Sequence, residues 1–198
     1  MFQKIKNYLH KKIFKIVKDF EVLEEKKSWW RFISKPNINI HHTFAPQDVN
    51  IFKGNEGEFG NIIIGETFFV RDYCRISVLP GATLNIGKGV FFNNYSSINC
   101  LNSITIGDNS IFGEGVKIYD HNHKYGFIPD FSVHKNDYTK APVIIGKNCW
   151  IGSNTVILKG VEIGDNCIIG AGCVIHKSVP ANTIIKNSQN LIPESLQK

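Results

Sequence analysis

The sequence contains no run of about eighteen apolar residues, which excludes a transmembrane helix of ordinary length. Its first residues lack the uninterrupted apolar stretch and cleavage site of a secretory signal, so we expect none. None of its five cysteines forms a CxxC pair. We therefore predict small packed thiols in a reducing cytoplasm and no disulfides or metal ligands.

Acidic residues are absent from residues 1–18, which hold six lysines. The rest of the chain carries seventeen basic and seventeen acidic residues, so the formal charge of +6 resides in this segment. A chain whose main part is formally neutral presents no basic surface for a phosphate backbone. We predict no nucleic-acid partner.

Residues 2–23 carry apolar residues at three- and four-residue steps, which predicts an amphipathic helix. These residues are Phe2, Ile5, Leu9, Ile13, Ile16, Phe20 and Leu23. Lysines occupy much of the remaining surface, so the helix fits an anionic membrane surface. Packing on its own domain or on a neighbouring subunit is the other interpretation.

Isoleucines recur every six residues near the end of the chain, a period that neither an α-helix nor an ordinary strand produces. They are Ile145, Ile151, Ile157, Ile163, Ile169 and Ile175. Three steps make eighteen residues, which is one turn of a triangular coil of short parallel strands. Each isoleucine then faces inward, and stacked turns share one apolar core.

Ile-Gly dipeptides extend this coil towards the N-terminus, beginning at Ile64, Ile86, Ile106, Ile145 and Ile163. Their intervals of 22, 20, 39 and 18 residues predict regular turns near the C-terminus. Small bulges are expected near residues 71–82 and 99–102, and one long loop between Ile118 and Val143. Loops that a solenoid does not need are where function is sought.

The repeat region resembles the hexapeptide-repeat acyltransferases, and most closely their maltose/galactoside O-acetyltransferase-like branch. The resemblance covers roughly residues 60–185. The motifs that carry it are Gly89–Asn94, Ile104–Asn109, Val116–His123, Pro142–Ser153 and Ile163–Lys177. It implies an all-β fold, a left-handed parallel β-helix over residues 36–198. The N-terminal amphipathic α-helix and its connection occupy residues 1–35, and the catalytic loop residues 119–142.

The resemblance also implies a homotrimer that binds acetyl-CoA between adjacent coils and requires no metal. The family's catalytic histidine follows the Ile-Gly-Asp-Asn motif by fourteen residues, which is His123 here, with His121 as its rival. A histidine that is neutral near pH 7 can take a proton from a hydroxyl and return it to a departing thiolate.

Other site residues follow from the same resemblance. Asn94 matches the family's acceptor-site asparagine, and Asn102 ends a stretch in which the family often has an acidic acceptor ligand. Asp120 is grouped with them as an acceptor residue, and it is also a candidate to orient a histidine or to cap a turn. The residues predicted to bind the cofactor are Trp150, Ser153, Ala171, His176 and Lys177.

We therefore expect an acetyl-CoA-dependent O-acetyltransferase of polysaccharide biosynthesis that acts on a sugar hydroxyl of a cell-surface glycan or its precursor. Acetylation of an amino sugar or an antibiotic stays open. We expect a cytoplasmic protein, with peripheral contact to the inner face of the membrane through residues 1–23. The alternatives are a γ-carbonic-anhydrase-like enzyme, with zinc on His121, His123 and His134, and a non-catalytic binding solenoid.

Overall fold

The computed structural model describes residues 11–16, 18–19, 31–43, 52–54, 58–127 and 129–188. Within the predicted N-terminal helix, residues 11–16 and 18–19 are helical and exposed, and the remainder of 2–23 lies outside the described residues. A short helical stretch covers residues 31–33. No helix in these ranges is long and apolar enough to span a membrane.

The main body is a three-sided parallel β-helix in which each face is a six-stranded sheet. The first face consists of β1 (Ile38–Ile40), β3 (Asn61–Ile64), β6 (Thr83–Ile86), β9 (Ser103–Ile106), β14 (Val143–Ile145) and β17 (Glu162–Ile163). The second consists of β4 (Phe69–Val70), β7 (Phe91–Phe92), β10 (Ile111–Phe112), β15 (Trp150–Ile151), β18 (Ile168–Ile169) and β20 (Ile184–Ile185). The third consists of β2 (Phe52–Lys53), β5 (Arg75–Val78), β8 (Ser97–Cys100), β11 (Lys117–Tyr119), β16 (Val156–Ile157) and β19 (Val174–Ile175).

One apolar core runs along the axis of this coil. The six isoleucines of the hexad repeat are all buried, from 0% exposure at Ile157 to 6% at Ile175. Cys149 and Cys167 are also buried, and all five cysteines are free. Four of the five cysteines are thus small packed thiols as predicted, and Cys74 is half-buried.

Three rows of corners join the faces. The first corner, between the first and second faces, comprises residues 65–68, 87–90, 107–110, 146–149, 164–167 and 180–183. The second corner, between the second and third faces, comprises residues 71–74, 93–96, 113–116, 152–155 and 170–173. The third corner returns the chain to the first face through residues 79–82, 101–102, 120–142, 158–161 and 176–178.

An asparagine ladder stabilises the first corner. Asn109, Asn148, Asn166 and Asn182 all have positive φ, from 54° to 60°, which asparagine tolerates better than most residues. Each side-chain amide donates to the next side-chain oxygen, at 3.4, 3.1 and 2.9 Å. Tight turns with positive φ therefore recur along this corner, and side-chain hydrogen bonds connect them.

The long insertion at the third corner is a β-hairpin, whereas the sequence predicted only a long loop. Strands β12 (His121–Phe127) and β13 (Phe131–Lys140) pair antiparallel, with a register shift between His123 and Tyr125. The smaller insertions lengthen the third face, since β5 and β8 have four residues each and β16 and β19 have two.

Candidate active site

The base of the hairpin holds the two predicted catalytic histidines. His121 and His123 alternate with Asn122 along β12, so both side chains leave the same face of the strand. Tyr138 pairs with His123 across the hairpin. Its ring centroid lies 4.8 Å from that of His123 and 5.3 Å from that of His121, so one tyrosine packs against both imidazoles.

A buried carboxylate holds His121. The Asp120 side chain is fully buried, and its oxygens accept hydrogen bonds from the backbone N–H groups of Leu101 and Asn102, the latter at 2.6 Å. Its Oδ1 also lies 3.1 Å from Nδ1 of His121. Asp120 therefore caps the preceding turn and orients a histidine, the two roles that the sequence left open.

His123 is exposed, and its Nδ1 lies 3.1 Å from the backbone carbonyl oxygen of His134. A carbonyl oxygen only accepts hydrogen bonds, so Nδ1 carries the proton. In the neutral imidazole the lone pair is then on Nε2, which is free to face a substrate. The hairpin thus fixes both the orientation and the tautomer of His123.

The predicted acceptor residues lie on two different corners. Asn94 is half-buried at the second corner, where its backbone carbonyl accepts from Gly115 N–H at 2.9 Å. Its side-chain Oδ1 is buried and has no hydrogen-bond partner. A buried amide oxygen without a partner, such as that of Asn94, is costly, and it is one sign that a ligand or water binds there. Asn102 lies at the third corner, where its backbone N–H donates to Asp120.

The predicted cofactor residues are also divided. Ser153 and Ala171 lie at the second corner, one coil apart, and Gly172 N–H donates to the Ser153 carbonyl at 2.8 Å. Trp150 is exposed on the adjoining second face. His176 and Lys177 lie at the third corner beside a shallow depression of about 230 Å³.

The second face carries an apolar row along its outer surface. Strand register aligns Phe69, Phe91, Ile111, Trp150, Ile168 and Ile184 one above another on six successive coils. Five of them are more than a third exposed, and Phe91 is half-buried. A continuous apolar row of this length is typical of a surface that another molecule covers.

Sequence reasoning missed Tyr138. Its contact with both histidines depends on the pairing register of the hairpin, and no periodicity in residues 121–140 indicates that pairing.

Sequence reasoning also missed the surroundings of Cys100. Burial and then the nearby Asp120 carboxylate raise the pKa of this thiol to about 12, and its Sγ donates to the Thr83 carbonyl at 3.3 Å.

Within one chain, the three histidines of the zinc alternative make separate contacts. His134 presents its backbone carbonyl to His123, while its Nδ1 lies 3.9 Å from the Asp137 carboxylate. Within residues 11–16, 18–19, 31–43, 52–54, 58–127 and 129–188, no group of three or more His, Cys, Asp or Glu is placed to hold a metal ion.

Comparisons with known proteins agree with this architecture. Residues 142–177 match the family model for the hexapeptide repeat of succinyl-transferase. WbbJ of Escherichia coli K12, which is named as an O-acetyl transferase of lipopolysaccharide biosynthesis, is 30% identical over 64% of this chain and 67% of its own length. Galactoside O-acetyltransferase from the same strain is 35% identical over 61% of this chain and 57% of its own. A hexapeptide-repeat acetyltransferase of Vibrio cholerae superposes with a TM-score of 0.53 at 25% identity, covering 68% of this chain and 74% of that one.

The chain belongs to the hexapeptide-repeat acetyltransferases. It is an acetyltransferase, and its relatives are named O-acetyltransferases. The predictions of the family, of an acyltransferase and of the left-handed parallel β-helix are confirmed. The roles assigned to individual site residues stay predictions.

Proposed function

We propose that this enzyme transfers an acetyl group from acetyl-CoA to a sugar hydroxyl of a cell-surface glycan or its precursor, with His123 as the general base. The observation that carries the proposal is the 3.1 Å contact between Nδ1 of His123 and the His134 carbonyl. It leaves Nε2 as the proton acceptor on an exposed side chain. The O-acetyltransferase names of the relatives support a hydroxyl acceptor.

Acetyl-CoA supplies the acetyl group as an activated thioester. Nε2 of His123 takes the proton of the acceptor hydroxyl as its oxygen attacks the thioester carbon. The same nitrogen returns the proton to the departing sulfur, so the histidine ends the cycle neutral. A group that moves a proton in both directions near pH 7 contributes about 10²–10⁴ in rate.

His121 is assigned a supporting role. Its ring packs edge-on against Tyr138, whose ring also contacts His123, so it helps to fix the hairpin at the point where the base sits. Asp120 holds His121 from below and joins it to the turn at Leu101 and Asn102. The Asp120–His121 pair therefore positions the base of the hairpin. Nε2 of His121 is the second candidate base.

The enzyme is proposed to be a homotrimer because the predicted site is divided between two corners. His123 projects from the third corner, whereas Asn94, Ser153 and Ala171 line the second. The four residues of β8 between those corners span about 13 Å. A neighbouring copy related by rotation brings a third corner against a second corner and covers the apolar row of the second face.

The N-terminal segment is proposed to hold the enzyme at the inner face of an anionic membrane. Ile13, Phe14 and Ile16 are 59–60% exposed on a helical stretch that also carries Lys11, Lys12, Lys15 and Lys18. Exposed apolar and basic side chains on one short helix suit the boundary of acidic lipid headgroups. Such placement would bring the enzyme near a lipid-linked glycan precursor.

The first test is calorimetric titration of acetyl-CoA into metal-free protein, followed by assays of CoA release with sugar acceptors. We expect saturable binding near one site per chain and sugar-dependent release. Binding without release for any sugar would contradict the sugar acceptor and leave the donor site standing. Absence of binding at millimolar acetyl-CoA would contradict the whole proposal.

A further inference from the structure

Two exposed tyrosines stack on each other at the second corner. Tyr73 and Tyr95 occupy the same position on successive coils, with ring centroids 5.1 Å apart and an interplanar angle of 6°. They are 75% and 55% exposed. Both have left-handed backbone conformations, with φ of 58° and 60°.

The other coils show that a tyrosine is not required there. Gly115, Asn154 and Gly172 occupy the equivalent corner position and also have positive φ, between 57° and 70°. Glycine and asparagine adopt this conformation readily, whereas it is strained for a bulky side chain. Strained residues of this kind concentrate at ligand-binding sites. The two N-terminal coils therefore keep aromatic residues in a strained backbone conformation, although the fold does not require an aromatic residue there.

The surroundings of the pair suit a carbohydrate. Asn94 precedes Tyr95 at the same corner, and its amide oxygen is buried without a hydrogen-bond partner. Glu114 occupies the next coil of the Asn94 column and is exposed. Gly115 has no side chain to cover the ring of Tyr95 on that side. Amide and carboxylate groups bind sugar hydroxyls, and the electron-rich face of an aromatic ring attracts the polarised C–H groups of a pyranose.

We propose that Tyr73 and Tyr95 form the aromatic wall of an acceptor subsite that binds an uncharged pyranose ring, with the exposed Glu114 hydrogen-bonding its hydroxyls. The proposal rests on the proposed sugar acetylation and extends it to a second recognition element. It places sugar recognition towards the N-terminal coils of the second corner and donor recognition at Ser153 and Ala171, further along the same corner.

The test replaces both rings without breaking the corner. Tyr73→Gly/Tyr95→Gly installs the residue that Gly115 and Gly172 already use, so the coil should unfold at the same temperature or higher. Thr67→Gly is the matched control, since Thr67 also has positive φ (55°) but lies at the first corner. Tyr73→Asn/Tyr95→Asn is the second version if the glycine variant folds poorly.

Kinetics with methyl glycosides of galactose, glucose and N-acetylglucosamine provide the readout. In the double variant we expect the KM for the glycoside to rise by about tenfold or more, with unchanged KM for acetyl-CoA. Thr67→Gly should leave both unchanged. An unchanged glycoside KM in the double variant, or a change in its oligomeric mass by light scattering, would overturn the subsite.

If the wild type acetylates none of these glycosides, the proposed sugar acetylation fails and the subsite is judged separately. Saturation-transfer NMR with millimolar glycoside then decides. Signal transfer to a glycoside in the wild type that is lost in the double variant would support the aromatic wall. No transfer in the wild type, or equal transfer in both proteins, would overturn it.

Discussion

The coils from Val143 to Ile185 and those from Asn61 to Tyr119 share one core but differ in their surfaces. In the C-terminal set, strands have two or three residues and Gly and Asn occupy the strained corner positions. In the N-terminal set, the third-face strands lengthen, tyrosines occupy strained positions, and a hairpin leaves the last turn. The regular coils show what the scaffold requires, and we propose that the enzyme acts where the other coils depart from them.

The same comparison agrees with our proposal that different coils bind the acetyl donor and the sugar acceptor. Corners made of glycine and asparagine expose backbone groups and small side chains, which suits an extended pantetheine arm. Corners that carry tyrosine, together with the hairpin histidines, offer rings and proton acceptors for a sugar hydroxyl. The two sets of coils should therefore respond alike to changes in the core and differently to changes outside it.

The largest effect on folding is expected from truncating the core, and it should be alike in both sets of coils. Ile163 and Ile104 are both fully buried on the first face. We expect Ile163→Ala and Ile104→Ala each to lower the free energy of unfolding by about 2–5 kcal/mol, measured by denaturant titration. Glu162→Ala, on the exposed side of the same strand as Ile163, is the control and should change it little. A much smaller cost at Ile104 would contradict a shared core.

A smaller effect is expected at the asparagine ladder. Asn148 has φ of 54° and hydrogen-bonds through its side chain to both ladder neighbours. Asn148→Ala should lower the free energy of unfolding by about 1–2 kcal/mol, because alanine is strained in this conformation. Asn148→Gly should lower it by about 1 kcal/mol less, since glycine loses only the side-chain hydrogen bonds. Equal thermal stability of the two variants would show that backbone conformation does not govern this corner.

Much of the coil was predictable because its signal is local and repeated. Buried isoleucines at six-residue steps and Ile-Gly pairs reflect a core that every turn must satisfy, and the 39-residue interval revealed the position of the insertion. The hairpin pairing was not predictable, since it depends on contacts between strands that the repeat does not constrain. The burial of Asp120 was equally hidden, because its partners, the N–H groups of Leu101 and Asn102, lie one coil away.

The smallest expected effect is a pH dependence at Cys100, where the N-terminal coils bury a thiol beside a carboxylate. Its pKa is about 12 in the folded protein and 9.0 as the reference value. Because the folded protein holds this proton more tightly than the unfolded chain, the thiol contributes stability below about pH 9, and this contribution falls as pH rises towards 12. Above pH 9, the free energy of unfolding of the wild type should fall by up to about 1.4 kcal/mol more per pH unit than that of Cys100→Ala. Parallel stability curves for the two proteins would contradict the buried thiol.

The most direct test of the account is the turnover of His123→Ala, measured together with its acetyl-CoA affinity and its oligomeric mass. We expect turnover to fall by about 10²–10⁴ while the affinity and the mass stay within twofold of the wild type. His121→Ala is the matched comparison and should lose less. Turnover of His123→Ala close to that of the wild type would contradict the assignment of the base.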